Sequence, residues 1–169
     1  MLPRKLVDFM GVYEGIPLAG LVPKIVLPSL ARKLEDYNAG GLGGPVKLDL
    51  GQEGLQLGLT LTQQQREVLN GYGTASASAV QFRFMGAYQS DDTQQIEQVE
   101  IAVRGRIGKI DFGTAERAKV SETEVEMPLT YFRYTSNGAV VIEIDLIANV
   151  MRVNGVDRNA EIRRAIGQA

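Results

Sequence analysis

Leu55, Leu57, Leu59 and Leu61 alternate with Gln56, Gly58 and Thr60, which is the period of a strand with one apolar and one polar face. Val46, Leu48 and Leu50 begin the same period just before it. Val80, Phe82 and Phe84 alternate with Gln81 and Arg83. After the polar run 89–95, Val99, Ile101 and Val103 alternate with Gln98, Glu100, Ala102 and Arg104, so these two stretches read as a hairpin. Val125, Met127 and Leu129 stand opposite Glu124, Glu126 and Thr130, and Pro128 marks that strand as edge-like or bulged because proline has no N–H to give a ladder. Asn137-Gly138 accepts positive φ at both positions and predicts a tight turn into a strand over 140–146.

Only two stretches read as helix. Thr62 is placed to cap a short one through 63–69 that Gly71 or Gly73 stops, and Asp157 to cap another over 158–166 that Gly167 stops. The first forty residues are extended pieces broken by Glu14-Gly15, Ala19-Gly20, Pro23, Pro28 and Asn38-Ala39-Gly40-Gly41. With seven to nine strands expected and no repeat or linker, the fold class is mainly β: an antiparallel β-sandwich or barrel with one or two short helices, in one domain over 1–169.

A chain of 169 residues with Cys 0 and His 0 has no disulfides, no Cys/His zinc site, no thiol nucleophile and no Ser-His-Asp arrangement. Carboxylate, lysine or tyrosine chemistry and oxygen-ligated metals remain. The net charge of −2 supplies no field that draws the chain onto nucleic acid or anionic lipid. Asp8 and Glu14 interrupt what a cleavable leader would need as an apolar run, so none is expected, and no apolar stretch is long enough for a membrane-spanning helix.

The candidate chemistry is thin. Glu35 and Asp36 are neighbours, so in a strand they face opposite ways; Glu143 and Asp145 share a face but lack a second acidic cluster, and a solvated or interface role suits them better. Gly40-Gly41-Leu42-Gly43-Gly44 lacks the Gly-Lys-Ser/Thr of a phosphate loop and reads as a connector. Arg104 with Arg106, and Arg163 with Arg164, read as ion-pairing residues at a protein interface, and Tyr131, Phe132 and Tyr134 as core rather than a stacking platform. A carboxylate-dependent hydrolase is the enzymatic alternative.

The second faces of the strands are unusually polar: Gln56, Thr60, Gln81, Arg83, Gln98, Glu100, Arg104, Glu124 and Glu126. On an isolated sandwich this is solvent surface. In a ring of subunits whose sheets join edge to edge, the same face lines a water-filled bore.

The motifs Met1-Leu2-Pro3-Arg4-Lys5-Leu6, Leu27-Pro28 with Leu30, Lys33 and Glu35, and Tyr37-Asn38-Ala39-Gly40-Gly41 with Pro45-Val46 resemble the major tail tube protein of contractile-tailed phages. So do Leu48-Asp49-Leu50-Gly51, Val103-Arg104-Gly105, Ile110-Asp111-Phe112-Gly113, Glu143-Ile144-Asp145 and Asn154-Gly155-Val156-Asp157, in that order. R-type pyocin tubes show the same pattern. The resemblance implies a non-enzymatic virion protein without cofactor or metal, assembled in the host bacterial cytoplasm into hexameric rings that stack as the inner tube. It implies a sheath, a tape-measure protein, a baseplate and a tail terminator as partners, and DNA passing through without specific binding. A tailocin tube that punctures an envelope, and a type VI secretion-like tube, are the related alternatives.

Within that frame, the arm 1–20 and the loop 38–51, which are extended, punctuated by proline or glycine and carry apolar residues, are expected to bind neighbouring subunits through Leu6, Phe9, Leu18, Tyr37, Gly40, Gly41, Leu42 and Val46. The bore is expected to be lined by Gln56, Thr60, Gln81, Gln98, Glu100, Glu124 and Glu126, because a basic lining would hold DNA by its phosphates. Arg83 and Arg104 are then expected to pair with Glu100 or Glu126 across strands.

Overall fold

The computed structural model describes residues 1–168. In chain order the strands are β1 (Arg4–Tyr13), β2 (Ile16–Pro17), β3 (Lys24–Val26), β4 (Arg32–Tyr37), β5 (Val46–Gln52) and β6 (Leu55–Leu61), followed by α1 (Arg66–Leu69). Then come β7 (Val80–Ser90), β8 (Ile96–Gly105), β9 (Lys109–Asp111), β10 (Thr123–Ser136), β11 (Ala139–Asp145), β12 (Val150–Val153), β13 (Val156–Asp157) and α2 (Ala160–Ala165). The mainly β, antiparallel reading holds. Short strands that pair over only two or three residues, such as β2, β9 and β13, account for the larger number of strands.

β10 joins two layers. Its first half pairs with β6 and β9, and β6 in turn with β3. Its second half pairs with β8 and β11, in the order β13-β12-β11-β10-β8-β7-β1-β2. The change occurs at an irregularity between Leu129 and Tyr131. Before it Val125, Met127 and Leu129 point inward; after it Phe132 does, so the parity of the strand reverses. Gly105 ends β8 at this point, and a Cβ there would sit 2.2 Å from the Pro128 carbonyl oxygen, so only glycine lets the two backbones come this close. The irregularity beside Pro128 agrees with the bulge expected from the sequence.

The inward faces of both layers meet in one cluster. Leu55, Leu57, Leu59, Leu61, Val125 and Met127 come from the first, and Phe82, Phe84, Val99, Ile101, Val103, Phe132 and Ile144 from the second. It follows that the outward faces of the two layers lie on opposite sides of the molecule.

Three local expectations are corrected. Thr62 does not cap α1; its hydroxyl donates to the Leu21 carbonyl at 3.1 Å, and the helix is a single turn that begins after Gln65. Asp157 does not occupy the cap of α2 either: Asn159 does, and Asp157 Oδ1 accepts the Asn159 N–H at 3.1 Å from outside the helix. The segment 1–20 is not a loose arm, since β1 pairs with β7 from Arg4 to Tyr13 and Leu18 is 2% exposed in the core.

β4 and β5 form a sheet of their own. The Glu53 N–H donates to the Ala31 carbonyl at 3.0 Å and the Gln52 amide to the same oxygen, both at the base of the hairpin. Beyond the base, every residue of β4 is exposed.

Candidate assembly surfaces

The outward face of the first layer is set by register. Lys24 pairs with Thr60, Thr60 with Glu124 and Glu124 with Asp111, while Val26, Gly58, Glu126 and Lys109 form the next row and Gln56 stands opposite Pro128. Val26 Cβ lies 3.0 Å from where a Cβ on Gly58 would be, so the glycine lets β3 close over β6. Thr60 is 5% exposed, shut in by its neighbours. Three carboxylates and two lysines share this face, and none of the three carboxylates makes an ion pair among the described residues.

On the second layer, Arg83, Ala102, Arg133, Glu143, Arg152 and Asp157 stand side by side across successive strands. Gln81, Arg104 and Tyr131 form the row on one side of it, and Met10, Met85, Glu100 and Thr135 the row on the other side. Gln81, Gln98 and Glu100 therefore face away from Gln56, Glu124 and Glu126. The residues expected to line one bore lie on two opposite faces, and at most one of the two sets can do so.

The expected pairing of Arg83 and Arg104 is also not what the side chains do. Glu100 meets Arg133 at 3.7 Å, and Arg104 lies over the Tyr131 ring with its guanidinium carbon 4.1 Å from the centroid. Glu143 is fully engaged, accepting from Tyr131 Oη and from Arg152 Nη1, each at 2.8 Å. Burial, and then the bond to Glu143, push the Tyr131 phenol upward. Glu143 and Asp145 thus share a face without cooperating, since Asp145 accepts the Ile147 and Ala148 N–H groups of the turn that follows.

The hairpin is amphipathic in an unusual sense. Tyr37 is opposite Val46 and Glu35 opposite Leu48 on one face; Asp36 is opposite Lys47 and Leu34 opposite Asp49 on the other. The second face is laced by ion pairs, Lys47 to Asp36 at 2.8 Å and Arg32 to Asp49 at 2.9 Å. The Arg32 bond, with a further one from the Gly51 N–H, holds the Asp49 carboxyl below its ordinary range. The first face is apolar and open: Tyr37, Val46, Leu48 and Leu50 are each between 45% and 51% exposed. Gly40, Gly41 and Leu42 form the exposed tip, where Gly41 has φ +87°.

Of the other expected contact residues, Leu6 is exposed on β1, whereas Phe9 is half-buried against Phe84, with ring centroids 5.6 Å apart. Sequence reasoning passed over Leu34, Leu48 and Leu50 as contact candidates, although their exposure matches that of Val46. It also passed over the C-terminal patch of Leu146, Ile147, Val156, Ile162 and Ile166, all exposed. A signal for the latter was present: Val156 follows Gly155 and Ile166 precedes Gly167, so both stand beside turn-forming glycines. Asp157 and Arg163 tie α2 to β13 at 2.6 Å, and chiefly that bond lowers the Asp157 carboxyl to about 2. No cluster of three or more carboxylates fit for a metal occurs among the described residues.

Comparison with known proteins places the chain in a family. A family model for phage tail tube protein FII matches residues 3–167. The tail tube protein of Escherichia phage P2 is 38% identical over 170 residues, covering 98% of both chains. The major tail tube protein of Serratia phage KSP20 is 31% identical over 156 residues, covering 91% of this chain and 90% of its own. Among solved structures, a chain of the PVC sheath-tube complex of an extracellular contractile injection system, in the extended state, superposes with a TM-score of 0.60 at 8% identity. That superposition covers 79% of this chain and 92% of the other, and the likeness is one of fold. A chain of the sheath/tube terminator of the same system matches equally well, at 0.60 and 8% identity over 80% of this chain and 98% of that one.

Proposed function

The chain belongs to the phage tail tube protein FII family and is a structural tail tube protein of a contractile phage tail, and on that premise we propose that it is one stave of a homohexameric ring whose copies stack into the tube. The observation that carries this reading is the β4–β5 hairpin. A two-stranded ribbon is marginal alone in water, and this one leaves an apolar face uncovered, which marks a surface made to be buried by another molecule. The residues 38–51 fall within it, and Tyr37, Leu42 and Val46 are the anchors.

The first layer supplies the bore. Its edge strands β3 and β9 have three residues each and, among the described residues, no partner on their outer sides, so a neighbouring copy can continue the sheet. Its outward face bears Gln56, Glu124, Glu126 and Asp111 against Lys24 and Lys109, an acidic balance of one charge. Such a wall repels duplex DNA weakly and lets it slide. Lateral closure uses up the sheet edges, while stacking is head-to-tail and open, so the length of the tube is set by another protein. The remaining partners are the sheath around the tube and the tape-measure, baseplate and terminator proteins. No step of this role is catalytic, and assembly takes place in the host cytoplasm before the tail enters the virion.

Electron microscopy of the purified chain tests the reading. Hollow tubes of uniform bore are expected from the intact chain. Deletion of residues 40–44 should give a folded, soluble monomer that forms none; long tubes from the deletion variant overturn the role of the hairpin. A density map with the Arg83 face toward the axis overturns the assignment of the bore.

A further inference from the structure

The two assembly surfaces left unexplained by ring closure are complementary. Arg83, Arg104 and Arg133 surround Ala102 in a shallow pocket on the second layer, with Gln81 and Tyr131 completing its wall. Ala102 pairs with both Arg83 and Arg133, and its methyl group leaves the floor low between two long side chains. Among the described residues, the three guanidinium groups have only Glu100 as a carboxylate partner, at 3.7 Å from Arg133. The Arg133 Nε is buried without a hydrogen-bond acceptor among the described residues. A donor that is buried and unpaired is costly, and the fork of a guanidinium is shaped for a carboxylate.

The open face of the hairpin carries the reciprocal defect. Glu35 sits between Tyr37, Val46 and Leu48, with Lys33 at the irregular end of β4 the nearest basic residue along the strand. Its carboxylate has no ion pair or hydrogen bond among the described residues, unlike Asp36 and Asp49 on the other face. Covering this apolar face would strand Glu35 out of water unless the covering surface brought a cation.

We propose that the Glu35 carboxylate, carried on the hairpin of one copy, is received by the Arg83–Arg104–Arg133 pocket of a second copy. The inference rests on the hairpin being the assembly element, as argued above, and adds the site it enters. Tyr131 and Ala102 supply apolar floor for Leu48, and Met10 and Met85 lie on the same face one row beyond Arg83. A nucleic-acid backbone is a poorer occupant. Glu100 and Glu143 flank the pocket on the neighbouring positions and would repel a chain of phosphates, while a single carboxylate fits between them. Hairpin and pocket are different surfaces, so the contact is head-to-tail and generates rings or filaments rather than closed dimers.

The test uses two defective partners. Glu35→Arg places a cation against the pocket, and Arg104→Glu places an anion against the hairpin. Each alone should raise the concentration needed for tube formation at least about tenfold, as reversal of one member of a buried charge pair does. Mixed in equal amounts they should co-assemble at nearly the intact chain's concentration, because alternating copies then present Arg to Glu and Glu to Arg. Glu35 is exposed on the hairpin, so its variant keeps the monomer fold, and Arg104→Gln provides a milder pocket variant should Arg104→Glu unfold. Single variants that assemble like the intact chain overturn the pairing. So do folded single variants that fail alone and are not rescued by mixing, while the tube reading stands. An intact chain that stays monomeric overturns both.

Discussion

β5 and β6 are consecutive strands with the same alternation and the same leucines, yet they end in opposite environments. Leu55, Leu57, Leu59 and Leu61 are between 0% and 2% exposed, while Val46, Leu48 and Leu50 are between 45% and 51% exposed. The difference is what lies opposite. β6 is roofed by the second layer, whose Phe82, Phe84 and Val103 enter the same cluster. Among the described residues β5 has only β4 beside it, and a pair of strands offers no second layer. Period two thus specifies a strand with an apolar face, and the partner of that face is a separate matter: in β6 it is the same chain, whereas the β5 face stays open.

Replacing equivalent leucines is the sharpest way to separate the two. Leu57→Ala should cost about 2–5 kcal/mol of monomer stability, the usual range for emptying a packed leucine site, read from denaturant unfolding. Leu48→Ala should change the same quantity by less than about 0.5 kcal/mol and instead weaken tube formation. A large monomer destabilisation by Leu48→Ala would mean that the hairpin folds back on its own domain. Next in size, Gly105→Ala should cost about 1–3 kcal/mol through overpacking at the crossover of β8 and β10, without touching the hairpin.

The smallest effect belongs to the C-terminal helix. The Asp157 carboxyl stands at about 2 in the fold against an ordinary 3.8, chiefly through its bond from Arg163. The stabilisation it brings is therefore complete above about pH 4 and disappears as pH falls through 2. Amide exchange at α2 should accelerate over that window. Asp157→Asn should remove this acid dependence, leaving exchange on the hairpin tip unaffected.

Most of the strands were legible because side-chain alternation is a local property. The Asn137-Gly138 turn was legible for the same reason, and both residues have positive φ, at 47° and 83°. The helices were overread. Thr62 found a carbonyl on the β3 side of the fold, Leu21, that outcompeted the helix start, and Asp157 was drawn to Arg163. Leu18 looked free because it lies outside any alternation, but the turn after β1 folds it into the core, where its N–H donates to the Gly11 carbonyl at 2.9 Å.

The candidate surfaces were half legible. Alternation gives the polar side of each strand, but it merged two separate faces into one. Nothing in the local pattern of β10 says that Glu124 and Arg133 point to opposite sides of a sandwich, because the reversal happens at one irregular position beside Thr130.

The chain by itself determined where the strands lie and which side of each is apolar. Only the tertiary structure decided which polar rows share a side, that Arg83 and Arg104 find no carboxylate among the described residues while Arg133 keeps a distant one, and that the Glu35 ribbon stands clear of its own core. The reason is physical: alternation is fixed by the pleat of each strand, whereas adjacency across strands depends on register and on a single bulge, which long-range packing selects.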